Sequence, residues 1–281
     1  MNSSQLAVRG KVNPLGFEPV KSVIVVLVDG LGYRQLEQVS GHAPTLWRKS
    51  KPIKSGFPAT TSVNIKSFAT GLPPAEHGFL GYRLQHHQGT ANLLSDLEKI
   101  DISEFDTVPN ISDTGDKHCV FSVVSMEEYR HSGFSKVTMS GANYVSAETI
   151  AERFRAARQI ANNPGQVVYL YIPELDKTGH KEGWGSTKWV QYLEEIDSGI
   201  KTAISDDIGI VLTSDHGMVN TNSDLQMHLD QFVNGDLIEA MVGDTRCTYL
   251  HTKLSKSHLE KLLEDQPLSV YEISELEQAG W

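Results

Sequence analysis

The sequence predicts an α/β fold with a mostly parallel central sheet and helices on both faces. Three apolar runs lead to that reading: residues 23–28 (VIVVLV), 166–172 (QVVYLYI) and 208–213 (IGIVLT). Each is rich in β-branched residues and lacks polar alternation, as expected of strands covered on both sides. Helical patterns separate the three runs. Strands joined in that way run parallel, and their functional groups gather beyond the carboxyl ends.

Taken in order, the run at 23–28 ends directly in Asp29 and is followed by helical spacing over 31–39. A second helix is predicted from Thr61 to about Ala69, stopped by Thr70-Gly71. Helical spacing follows Gly141-Ala142-Asn143 over residues 146–158. The run at 166–172 then leads into Pro173, and residues 186–204 form a long amphipathic pattern before the third run. No internal repeat, low-complexity tract or long Pro/Ser linker interrupts the chain, so residues 1–281 are expected to form a single domain.

Composition narrows the function. With 25 Lys and Arg against 35 Asp and Glu, the net charge is −10, and the basic residues form no stripe that would track a nucleic-acid backbone. A nucleic-acid polymer is therefore not the expected partner. A small phosphorylated substrate remains compatible, because bound divalent metals add positive charge that a side-chain count omits. Cys119 and Cys247 stand far apart without a CxxC, which argues against a disulfide framework or a cysteine zinc site; both are expected to be buried. The start, MNSSQLAVRG, lacks the apolar core of a secretory signal, and no run is long enough to span a bilayer. A cytoplasmic protein without membrane contact is the expectation, and no pattern sets its oligomeric state.

Three strand ends carry acid. Asp29 lies in LVDGLGYRQL, where a strand turns through glycines into a helix. A dinucleotide fingerprint would begin in the same way. Here Gln35 occupies the place of the third glycine, and an aspartate before the first would oppose a pyrophosphate at the helix N-terminus. A plain helix cap is the other reading of Asp29. Asp176 and His180 lie in ELDKTGH, four residues apart, so a helical or tight turn brings them to one ion, with Gly179 easing the bend. Asp215-His216, in TSDHGM, offers an oxygen and a nitrogen ligand directly after the third run. Like charges at one sheet edge repel unless cations occupy the space between them.

Thr60, Thr61 and Ser62 sit at the predicted start of a helix, where free amides and the helix dipole favour an alkoxide or an incoming phosphoryl group. All three are also favoured caps, and residue type alone does not say which of them, if any, attacks a substrate. Trp184, Tyr169 and Tyr171 could stack on a base, although aromatics near strand ends are more often core.

The order LVDGLG, FPATTSVN with FATGLPPAEHG, ELDKTGH and TSDHGM resembles the alkaline phosphatase superfamily, within it the nucleotide pyrophosphatase/phosphodiesterase branch. The likeness covers roughly residues 20–220. It continues more faintly to SELEQAGW, which resembles a bacterial alkaline-phosphatase-like subgroup. It implies hydrolysis of phosphate esters, phosphodiesters or nucleotide pyrophosphates before monoesters or phosphonates, through a phosphothreonine on Thr61. Two divalent ions are implied, zinc first, with manganese or iron as alternatives. Asp29, Asp215, His216 and the Thr61 hydroxyl would hold one, and Asp176 with His180 the other.

Two departures qualify the likeness. Tyr82 stands where the branch places an asparagine that holds a phosphate oxygen, so Tyr82 is the expected substrate contact and the diester preference is in doubt. The family's third histidine for the second ion, in a Gly-x-His-Gly type segment, is absent before Trp281; His228 and His251 lack that glycine context. The chain is therefore expected to be C-terminally incomplete relative to the family, with a second ion bound weakly or not at all. A metal-binding pseudoenzyme is the alternative of another class.

Overall fold

Five parallel strands form the main sheet, in the order β5 (Asn143–Ser146), β4 (Val120–Ser125), β6 (Gln166–Ile172), β1 (Ser22–Val28) and β7 (Ile208–Thr213). The computed structural model describes residues 1–87, 89–114, 117–222, 226–233 and 237–279. Gly280 and Trp281, which close the SELEQAGW segment, lie outside the described residues.

β1 lies inside the sheet, between β6 and β7, and its burial reflects that place. All seven of its residues are buried, and successive side chains serve opposite layers. Ile24, Val26 and Val28 pack with α2 (Tyr33–Gln38), α3 (Pro44–Trp47), α7 (Ile150–Ala161) and α9 (Thr187–Ala203). Val23 and Val25 join a second cluster that includes Val8 of α1 (Asn2–Val8), and Leu27 meets Ile65 of α4 (Thr61–Thr70). α6 (Gly133–Thr138) closes that second face through Phe134.

α4 ends as the sequence indicates: Gly71 takes φ 76°, a left-handed conformation open to glycine, and its N–H reaches the Ser67 carbonyl at 2.8 Å. Lys66, fully buried in this helix, donates to the Asp106 carboxylate at 2.5 Å, the Asn110 side-chain oxygen at 3.1 Å and the Val137 carbonyl at 3.3 Å. A buried ammonium needs such partners, and the set fixes the helix that begins at Thr61.

Two regions depart from the sequence reading. The helix expected over 146–158 starts only at Ile150, because Thr149 and Glu152 form a reciprocal capping box, and the preceding residues pair with β4 as an edge strand. A second, antiparallel sheet, in the order β3 (Gly89–Asn92), β2 (Arg83–His86), β8 (Ile238–Asp244) and β9 (Cys247–Thr252), was not foreseen. The short α5 (Pro74–His77) precedes it, while α10 (Lys256–Leu262) packs Leu259 in a small cluster with Ile238 and Leu250; α11 (Ile273–Gln278) follows. Cys119 is buried as expected, but Cys247 on β9 is only half-buried, since that sheet is covered less completely. Among the described residues no helix is long and apolar enough to cross a membrane.

α9 crosses α7 at unusually close range. A Cβ on Gly199 would lie 2.1 Å from a ring carbon of Phe154, itself 3% exposed. Replacing a helical glycine by alanine normally gains about 1 kcal/mol, whereas overpacking a tight core costs roughly 1–3 kcal/mol. Overlap wins here because the buried ring has nowhere to retreat. Gly199→Ala should lower unfolding free energy by about 1–2 kcal/mol in a urea titration; a variant as stable as the parent would show that the Phe154 ring shifts freely.

Candidate active site

β6, β1 and β7 are neighbours and end level with one another, with Val28 opposite Ile172 and Leu27 opposite Thr213. The residues that follow therefore emerge side by side. Asp29 comes first, its N–H bonded to the Ile172 carbonyl at 3.0 Å. Asp215 lies two residues beyond β7, and Asp176 sits in the first turn of α8 (Glu174–Glu182), the helix after β6. Gly30 is needed on two counts: its φ is 75°, and a Cβ there would come within 3.2 Å of Asp176 and of the Met218 sulfur.

Asp29, Asp215 and His216 converge, with one ligand atom from each lying within 4.8 Å of the others. Each carboxylate uses one oxygen on the protein and leaves the other bare. Asp29 Oδ2 accepts from the Tyr171 hydroxyl at 2.5 Å, and Asp215 Oδ1 accepts from the N–H groups of His216 at 3.0 Å and Gly30 at 3.3 Å. Asp29 Oδ1 and Asp215 Oδ2 are buried without a hydrogen bond. They face His216 Nε2 at 3.3 and 3.6 Å, contacts of charge rather than of good hydrogen-bond geometry.

The His216 ring is oriented from its other side. Nδ1 lies 3.0 Å from the Gly217 carbonyl, which can only accept, so in the neutral ring the Nε2 lone pair points into the cluster. Thr61 Oγ1 lies 3.0 Å from that nitrogen. Two bare buried oxygens, an imidazole lone pair and a hydroxyl around one point fit a divalent cation of the zinc, manganese or iron type.

Charge confinement shows in the acid–base properties. Burial, and then the Asp29 charge, push Asp215 up to about 8. For His216 burial acts downward, but Asp29 and Asp215 outweigh it and raise the imidazole to about 10. Burial and the Asp29 charge likewise raise Asp176, and burial holds Tyr169 and Tyr171 well above the usual phenol range.

Asp176 and His180 face the same region from α8, His180 Nε2 lying 3.4 Å from Asp176 Oδ1, with the His180 side chain 75% exposed. Gly179 does not bend the chain, as the sequence suggested; it sits within the helix because a Cβ would lie 2.4 Å from the Met218 sulfur. Glu174, at the start of α8, pairs with Arg153, which is fully buried in α7. Among the described residues, Asp29, Asp215 and His216 form the one group of three potential ligands, and His228 and His251 stand apart from it.

Tyr82 precedes β2, its carbonyl accepting from Leu93 N–H, and it is not among the residues lining the cavity beside Thr61. Trp184 packs edge-on against Trp189 in the core beneath α9, whereas Tyr169 and Tyr171 line that cavity.

Gln35 escaped the sequence reading except as a missing glycine. Its buried side-chain oxygen accepts from the N–H of Gly32 at 2.9 Å and of Met218 at 3.2 Å, tying the loop after β1 to the loop after β7. The two loops touch directly, since a Cβ on Gly217 would lie 3.0 Å from the Gly32 Cα. A glutamine three residues after a glycine at a helix start was the available signal, but its distant partner was not.

This arrangement sets acids level at the ends of a parallel α/β sheet, around a helix-borne hydroxyl. Residues 23–276 match the family described as type I phosphodiesterase / nucleotide pyrophosphatase, and the chain belongs to that family. An uncharacterized pyrophosphatase/phosphodiesterase of Schizosaccharomyces pombe is 24% identical over 236 residues, which cover 76% of this chain and 48% of that protein. The chain thus spans about half the length of the curated relative it matches. Murine ectonucleotide pyrophosphatase/phosphodiesterase 5 shares the fold with a TM-score of 0.66 at 19% identity, over 87% of this chain and 70% of that one. An inactive form of the murine protein in complex with AMP gives 0.65 at 18% identity, over 87% and 69%.

Gln35→Leu removes the side-chain acceptor of the Met218 N–H and leaves the Gly32 N–H only the Gly30 carbonyl, at 3.2 Å. Partners that orient ligands in this way are worth about 10–100-fold in metal affinity. Competition with a chromogenic chelator should show zinc or manganese bound at least about tenfold more weakly; an unaltered dissociation constant would mean that the loops hold their places without the amide.

Proposed function

We propose that this chain hydrolyses phosphodiester or pyrophosphate bonds in small phosphorylated substrates, with Thr61 as nucleophile. Asp29, Asp215, His216 and the Thr61 hydroxyl would hold one divalent cation, and Asp176 with His180 would contribute to a second. The observation that carries the reading is the Thr61 hydroxyl, 3.0 Å from the nitrogen that faces two bare buried carboxylate oxygens. When bound, such cations supply Lewis acidity that favours the threonine alkoxide and the charge developing on phosphate oxygens.

The chain's own groups then divide the work. Thr61 is the first residue of α4, where unpaired backbone N–H groups and the helix dipole favour negative charge. Its hydroxyl gives up its proton to solvent and its oxygen forms a bond to phosphorus as the bond to the leaving oxygen breaks; that leaving oxygen keeps the electron pair and takes a proton from solvent. Water then attacks the phosphothreonine: its oxygen bonds to phosphorus, the bond from phosphorus to Thr61 Oγ1 breaks, and a proton from that water, passed through solvent, restores the hydroxyl. Asp29 and Asp215 keep their orientation throughout, because each is anchored by its second oxygen. The names borne by the relatives favour diesters and pyrophosphates over monoesters or phosphonates. Zinc leads the choice of metal because oxygen and imidazole ligands are mixed.

A second reading, a metal-binding pseudoenzyme, draws on the pair Asp176 and His180, which among the described residues is joined by no third ligand. Metal stoichiometry with turnover separates the two readings: two ions with phosphate-ester cleavage support the enzyme, one ion with none supports the alternative.

Thr61→Ala should lower hydrolysis of bis(p-nitrophenyl) phosphate by more than about 10³-fold while metal content stays near that of the parent, because Asp29, Asp215 and His216 remain. Retained turnover would remove Thr61 from the nucleophile's role.

Asp215→Asn separates repulsion from ligation. At a pH above about 8, where Asp215 is ionised, the chelator-treated variant should melt above the chelator-treated parent, because one of two buried like charges is gone. The rise in melting temperature on adding zinc should shrink or vanish, since stabilisation by a ligand follows its affinity. A variant that keeps the full zinc-induced rise would argue against Asp215 as a ligand.

A further inference from the structure

Residues 217–220, which follow Asp215 and His216, touch both groups of ligands. On one side the Met218 N–H donates to the Gln35 side chain, and the Met218 sulfur lies 3.2 Å from where a Cβ on Gly30, next to Asp29, would stand. On the other side the same sulfur lies 2.4 Å from where a Cβ on Gly179, next to His180, would stand. One thioether is thus packed between two glycines, each the chain neighbour of a candidate ligand. A glycine inside a helix costs about 1 kcal/mol relative to alanine. In α8 that cost accompanies direct contact between the thioether and the helix backbone.

Two positions further on, Asn220 holds the end of the same helix. Its side-chain oxygen accepts from the Trp184 N–H at 3.0 Å, and its amide donates to the Trp184 carbonyl at 3.5 Å. Gly183, which ends α8 at φ 83°, leaves room for that oxygen, since a Cβ there would lie 3.2 Å from it. A nine-residue helix with an internal glycine has little stability of its own, so outside contacts decide where its last turn sits. Arg153 grips Glu174 and Glu128 grips Lys177, both in the first half of α8. The last turn, where the His180 side chain stands 75% exposed, is met by Met218 and Asn220.

We propose that Met218 and Asn220 are positioning residues that link the two groups of ligands, so that a cation held by Asp29, Asp215 and His216 also fixes the last turn of α8 and orients His180. The proposal rests on the cation reading of that cluster. Its basis is chain connection: Met218 is two residues from His216, and Asn220 four. Once Asp215 and His216 are drawn to an ion, residues 217–220 lose freedom, and the turn that leans on them loses it too.

Hydrogen exchange of the full chain, with and without zinc, tests this without turnover. A His180→Ala background removes the ligand that the last turn itself carries, so protection of that turn has to come through residues 217–220. In that background zinc should slow exchange over residues 179–184 by about tenfold. Adding Asn220→Ala or Met218→Ala should abolish the slowing, whereas Met218→Leu, which conserves volume, should keep it. Asn220→Asp retains an acceptor for the Trp184 N–H and should also keep it, measured in about 1 M sodium chloride to screen the added charge. With His180 in place, Asn220→Ala should raise the dissociation constant of the second zinc about tenfold and leave that of the first near the parent's.

Zinc that binds in chelator competition yet leaves exchange over 179–184 unchanged, or slows it equally in Asn220→Ala, overturns the proposal. Hydrolysis of bis(p-nitrophenyl) phosphate would then leave the phosphate-ester reading standing. Slowing that depends on Asn220, without any hydrolysis, would uphold the link and sink the hydrolase reading. No zinc binding at all overturns both. If Met218→Ala fails to fold, Asn220→Ala, at an exposed position, still decides.

Discussion

Two carboxylates buried side by side, each with one oxygen held and one bare, form the constraint around which this structure is arranged. Charges about 4 Å apart repel by roughly 4 kcal/mol at an effective dielectric of 20, a large part of the 5–15 kcal/mol or so that keeps a domain folded. The sheet nevertheless forces Asp29 and Asp215 together, because β1 and β7 are adjacent and end level. Without a cation, the proton count must give way: Asp215 is pushed up to about 8, and His216 rises to about 10 as the nearest group able to carry positive charge.

From that pressure point the neighbouring structure becomes intelligible. Gly30, Gly32 and Gly217 let two loops and a helix approach within contact distance, and Gln35 holds the loops together from behind. Asp29, Asp215 and His216 are thus supported by strands and by a second layer of hydrogen bonds, as a preorganised site requires. The α8 pair is supported differently. Arg153 and Glu174 fix the start of that helix from within the core, but His180 stands largely in solvent. The cluster of Asp29, Asp215 and His216 is therefore the more enclosed of the two groups.

The portions legible in the sequence were those written in local pattern. Apolar runs marked β1, β6 and β7, the last an edge strand, and an acid or acid–histidine pair follows each; Asp29 meets Asp215 and His216 because β1 and β7 are adjacent and end level. β4 was hidden because serines break its run, VFSVVS, and β5 because four edge residues, NYVS, carry too little signal against a following helix pattern. Gln35 looked like a defect in a glycine motif; its function depends on Met218, 183 residues away. Tyr169 and Tyr171 share a face by the period of a strand, yet nothing local says that this face meets a cavity rather than closed core. Residues whose roles arise from contacts across the sheet, or between the sheet and α6, have no periodicity to reveal them.

The nucleophile candidate and the acidic cluster also belong to different layers. Asp29, Asp215 and His216 are fixed to the sheet, whereas Thr61 is fixed to α4, which is anchored five residues along by the buried Lys66 and its partners Asp106 and Asn110. The layers meet polar atom to polar atom where Thr61 Oγ1 approaches His216 Nε2. The cavity occupies the same gap between layers, with Ile65 of α4 on one wall and the tyrosines of β6 on the other. Ile65 lies one turn from Thr61 on α4, so the spacing between α4 and the sheet sets both the position of the hydroxyl and the width of the cavity.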